Sequence, residues 1–181
     1  MRRTTLRDLY LDELKELYSA EHQLVGILPR IARAATSPLL AKAILHHASQ
    51  TERQFDRLEE LFREIEVNPH GKACSVMKKL LDECREIMRE EIDARVKDTA
   101  LLATLKRIEH FEIAGYECTR TLAKLLGYER ASQSLQETLD EEKAADVKLT
   151  RMAEAVIQSE VPVPQTHSPA LELFIFRSSD D

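Results

Sequence analysis

Apolar positions along the chain recur at steps of three and four residues, the period of one helix face, and strand-like alternation is missing throughout. The first stripe runs Tyr10, Leu14, Leu17, Leu24, Leu28, Ile31 and Ala35. Thr5 and Asp8 precede it with the spacing of a capping box, Asp standing in for the usual Glu. This helix should end near Thr36. Ser37-Pro38 then reads as the N-cap and first residue of a second helix, whose stripe is Ile44, Ala48, Thr51, Phe55, Leu58, Phe62 and Ile65. Asn68-Pro69 and Gly71 mark a break. A shorter helix is expected from about Ala73 to Glu91, with Val76, Leu80 or Leu81, Cys84, and Ile87 or Met88 on its apolar side. A third long helix should cover Arg95 to Leu126 and stop at Gly127, the residue type favoured just past a helix end. A fourth should run from Glu129 to Gln158. From Val161 a Val-Pro-Val-Pro stretch cannot continue a helix. Residues 4–160 are thus expected to form the bundle and 161–181 an extended tail. The LELFIF segment of that tail, Leu171 to Phe176, is expected to dock on the bundle or on a second chain.

These elements make two αα-hairpins joined by one long crossover that holds the short helix. That is the ferritin-like arrangement of an all-α four-helix bundle, not a simple up-down-up-down one. Composition agrees with it. A length of 181 residues suits one domain, and 43% hydrophobic with 32% charged residues supports a core under a solvated surface. The formal net charge of -6 argues against a nucleic-acid partner, which needs a basic face. The cysteines Cys74, Cys84 and Cys118 are odd in number and form no CxxC pair, so a disulfide framework or zinc finger is not expected and a reducing cytoplasm is the simplest compartment. Cys118 reads as a small buried hydrophobe. The two arginines near the start have no apolar segment behind them, and no run of 18 apolar residues exists, so neither a signal peptide nor a membrane span is expected.

The chemistry lies where the apolar stripes are interrupted. In the first helix the stripe carries Glu21 between Leu17 and Leu24. In the third long helix it reads Leu102, Leu105, Glu109, Glu112, Tyr116, Thr119, Ala123 and Leu126. In the fourth it reads Ser132, Leu135, Leu139, Glu142, Asp146, Leu149, Ala153 and Val156. Each interruption falls near mid-helix, so Glu21, Glu109, Glu112, Glu142 and Asp146 are expected at one level of the core. Several carboxylates cannot remain ionised together in a dry interior. They must take up protons, pair with basic side chains, or bind cations. Metal-binding bundles use inward carboxylates in this way. An all-oxygen donor set favours hard ions such as manganese, iron, magnesium or calcium over zinc.

The segments LYSAEHQL, RIEHFEIAGYE and LQETLDEEKAADVKLT resemble those of the bacterial YciE/YciF family of ferritin-like, stress-associated proteins, over about Thr4 to Glu154. The resemblance implies a ferritin-like bundle, a homodimer, and a site similar to those of rubrerythrin and bacterioferritin. It also implies the same five acids as iron or manganese ligands, and it implies no particular reaction. The second helix departs from the family. Where members show a segment like HLEET, this chain reads HHASQTERQ, and Gln50 holds the place of the second glutamate, with Gln54 one turn later. A glutamine offers only a neutral carbonyl oxygen. One ion or partial occupancy is therefore expected, not a full two-metal centre. His47 lies on the same flank as a substitute ligand, though it reads first as a surface or hydrogen-bonded histidine beside His46. Tyr18 and Tyr116 stand one turn from Glu21 and Glu112 and are expected to hydrogen-bond the carboxylates or to be core aromatics. His110 points away around the helix from Glu109.

No nucleophile triad, phosphate-cradling glycine loop or dinucleotide fingerprint occurs. Two functions follow from this reading. One is an iron or manganese protein handling metal, oxygen or peroxide under stress. The other is a metal-free structural or interaction protein with a degenerate site.

Overall fold

The computed structural model describes residues 4–158, and within them every regular element is an α-helix. They are α1 (Leu6–Ala34), α2 (Pro38–Glu64), α3 (Ser75–Arg89), α4 (Ala94–Leu125) and α5 (Glu129–Gln158). The expected tail 161–181, with its LELFIF segment, and the side chain of Val156 lie outside the described residues.

Local signals set the helix ends. The Thr5 hydroxyl accepts from the Asp8 amide, and the Asp8 carboxylate accepts from the Thr5 amide, closing the capping box. Ser37 caps α2, with Pro38 as its first residue. Past α4, Gly127 adopts φ 75° and the Tyr128 amide donates to the Ala123 carbonyl at 2.9 Å, the reversed turn that a left-handed residue permits. Buried Asp98, in the second turn of α4, accepts from the Thr36 and Ser37 amides at 2.8 and 2.7 Å, which ties the α1–α2 turn to α4.

Helix α1 packs on α2 and α4, α5 packs on α4 and α2, and α3 lies against α1 and α4. Two hairpins therefore stack with the crossover strapped along one side, the ferritin-like all-α bundle expected. The strap is held by Lys72, which bridges Glu16 and Asp12 of α1 at 2.6 and 3.0 Å, and by the Cys74 amide, which donates to the Ser19 hydroxyl. Two details differ from the sequence expectation. Val76 is exposed while Met77, Leu81, Cys84 and Ile87 face the core, because α3 begins after Cys74 and its register is set by that cap. Cys118 is exposed on the outer face of α4, opposite the Glu112–Tyr116–Thr119 stripe, so it is not a core residue.

Below and above mid-height the interior is apolar. One cluster joins Leu24, Leu28, Ile31, Ile44, Leu105 and Leu149 with the α3 side chains. The other joins Tyr10, Leu14, Leu58, Phe62, Leu135 and Leu139. The polar layer lies between them.

Candidate metal centre

Four helices deliver the layer. Glu21 comes from α1, His47, Thr51 and Gln54 from one face of α2, Glu109 and Glu112 from successive turns of α4, and Glu142 from α5. Glu21, Glu109 and Glu142 are fully buried, and Glu112 is 1% exposed. One ligand atom each from His47, Glu109, Glu112 and Glu142 lies within 4.8 Å of the others. The His47 Nε2 atom stands 3.1 Å from Glu109 Oε1. Glu21 adjoins this group and accepts from the Tyr116 hydroxyl at 2.5 Å.

Both carboxylate oxygens of Glu109, Glu112 and Glu142, one of Glu21, and both His47 ring nitrogens make no hydrogen bond among the described residues. Buried polar groups are ordinarily satisfied, and leaving one unpaired costs about 1–3 kcal/mol. Burial, then the neighbouring acids, push the Glu21, Glu109 and Glu112 carboxyls well above the usual carboxylate range. Burial raises Glu142 to about 7, although contacts with Glu109 and Gln54 work the other way. Burial lowers His47 to about 4, so its imidazole is neutral and keeps a lone pair free for coordination. In the absence of a cation the chain therefore holds these acids largely protonated. Carboxylate oxygens in excess with one imidazole are a donor set that fits iron or manganese.

Flanking pairs keep other charges out of the centre. Glu141, next to Glu142, takes two bonds from Arg57 at 2.8 Å each and one from the Gln54 amide at 3.1 Å. The Arg57 guanidinium holds the Glu141 carboxyl below its ordinary range. No stripe position flags this pair. The sequence signal for it is Arg57 three residues after Gln54, a spacing that puts the two on one helix face.

Several sequence expectations change here. Asp146 does not join the cluster. It is partly exposed and turns to Lys106 at 2.5 Å and His110 at 3.1 Å, because Lys106 on α4 reaches it first. His47 is not a surface histidine but a buried member of the cluster, since its position on α2 faces Glu109 across the bundle. Gln54 is buried with its amide on Glu141, whereas Gln50 is half-buried at the edge of α2. Tyr18 does not reach the carboxylates. It sits among Phe55, Phe62 and His70, with its hydroxyl 3.4 Å from Glu59. Tyr116 does reach them, but on Glu21 across the bundle and not on Glu112 of its own helix.

Protein YciF of Escherichia coli (strain K12) is 37% identical over 154 residues, covering 84% of this chain and 93% of that protein. The crystal structure of the E. coli stress protein YciF matches with a TM-score of 0.82 at 36% identity, over 86% of this chain and 98% of that one. YcfI of Rhodopseudomonas palustris, described as a candidate structural protein, matches with a TM-score of 0.78 at 34% identity, over 83% and 97% of the two chains. A Xanthomonas campestris protein shares the fold at a TM-score of 0.68 and 18% identity, over 86% and 95% of the chains. Residues 5–162 match the family described as domain of unknown function DUF892, and with this span and these relatives the chain belongs to that YciF-like family.

Proposed function

We propose that this protein binds an iron or manganese ion at mid-bundle through His47, Glu109, Glu112 and Glu142, with Glu21 beside them, and uses it in handling metal, oxygen or peroxide under stress. The observation that carries the reading is the convergence of four buried ligand atoms, three carboxylate and one imidazole, within 4.8 Å of one another. The imidazole is neutral, and a cation that binds the carboxyls would displace their protons to solvent. A redox-active ion bound there would supply electron transfer to oxygen species. Tyr116 orients Glu21, and the Arg57–Glu141 pair keeps the α2–α5 side neutral. A single ion per chain fits better than two, because α2 contributes His47 and neutral Gln54 where a second carboxylate would be needed. The reading places the protein in the cytoplasm as a homodimer, following its family resemblance.

Elemental analysis of protein purified without chelator and loaded with Fe²⁺ or Mn²⁺ tests this. Stoichiometric metal is expected in the wild type and its loss in Glu142→Ala. The loaded protein should melt at higher temperature by mass action. Absence of both metal and a melting shift would sink the proposal. It would favour the second reading, a metal-free structural protein. That reading draws on the protonated state the acids hold without a cation and on the structural description given to YcfI.

A further inference from the structure

A small cleft opens on the bundle surface between α2, α4 and α5 and ends on the centre. Its mouth carries exposed His46 and Lys148 with half-buried Gln50. Its walls are Ile44, Leu105, Ala145 and Leu149, and its floor is His47 and Glu109. The volume is about 20 Å³, room for about one water-sized molecule. Helices α2 and α5 touch far less than α1 and α2 or α4 and α5 do, so this seam is the thin wall of the bundle.

We propose that this cleft is the route by which dioxygen reaches the His47–Glu109 face of the centre. The inference rests on the metal-site reading above and narrows it. The bore excludes anything much larger than a diatomic. The aliphatic walls offer no partners for a hydrated cation, whose desolvation is costly, and few for a peroxide molecule, which needs hydrogen bonds. The mouth bears Lys148, not acids, so it does not attract Fe²⁺ or Mn²⁺. An apolar diatomic meets none of these barriers.

Dissolved dioxygen is paramagnetic, so methyl relaxation under oxygen pressure reports where it goes without needing any metal. In metal-free, full-length protein the Ile44, Leu105 and Leu149 methyls should relax severalfold faster than those of Leu14, Leu24 and Leu28, which are at least as deeply buried. Ala145→Phe, which fills the bore from a half-buried position, should abolish the difference. Lys148→Glu, at an exposed position, should leave it intact. Equal enhancement throughout the core, or enhancement that survives Ala145→Phe, would overturn the proposal. The wild-type comparison needs no variant to fold. Metal analysis of a separate batch, purified without chelator and loaded with Fe²⁺ or Mn²⁺, separates the two ideas, since a failed port with stoichiometric metal leaves the centre standing, and a working port without metal does not.

Discussion

The apolar layers and the polar layer of this bundle are built on the same helices, yet they satisfy their atoms in different ways. In the apolar layers Leu14, Leu24, Leu28 and Ile31 are fully buried, and their packing contacts are complete within the chain. At mid-height Glu109, Glu112 and Glu142 are as deeply buried, but they face mainly one another and His47, acids crowded where donors are scarce. Helical propensity and burial alone would favour leucine there. The comparison teaches that the end layers hold the fold together, while under the proposed function the middle layer lowers stability in return for metal binding.

The largest effect should come from the apolar side. Leu28→Ala is expected to cost about 2–5 kcal/mol in urea denaturation, equally with and without metal. A loss that disappears on metal loading would show that the layers are not independent.

The next effect is a pH dependence confined to the polar layer. In chelated protein Glu142 keeps its proton to about pH 7, whereas the unfolded chain releases it near 4.5. Its contribution to stability is therefore present below about pH 4.5 and lost as pH rises through 7, a change of about 3 kcal/mol. Glu21, Glu109 and Glu112 shift in the same direction. Glu141, held low by Arg57, acts oppositely and only below the ordinary carboxylate range. Thermal melts between pH 5 and 8 with chelator should fall with pH, and saturating metal should flatten or reverse the slope. A flat chelated profile would mean that the acids are solvated.

Glu112→Leu should raise metal-free stability by about 1–4 kcal/mol while abolishing stoichiometric metal, because a packed aliphatic group replaces an unpaired buried acid. Destabilisation resembling that of Leu28→Ala would erase the distinction between the layers.

The smallest effect belongs to Asp146→Asn. Its carboxylate is partly exposed on Lys106, so the cost should not exceed about 1 kcal/mol and metal stoichiometry should stay unchanged. Loss of metal in this variant would return Asp146 to the centre.

The sequence by itself determined the helices, their caps and the all-α class, because these follow from local chemistry: a three-four apolar period, Thr5–Asp8, Ser37–Pro38 and Gly127. It also marked Glu21, Glu109, Glu112 and Glu142, since an acid on an apolar stripe stands out whatever it packs against. The tertiary structure decided everything that depends on which side chain of a neighbouring helix arrives first. Asp146 has the same stripe phase as Glu142, but Lys106 lies across from it. The sequence left His47 as a substitute ligand or as a surface or hydrogen-bonded histidine beside His46, and only the packing of α4, which brings Glu109 to within 3.1 Å, put it in the cluster. Periodicity names the face on which a residue lies, whereas its partner, its protonation and its exposure are set by the rotation and height of helices distant in sequence.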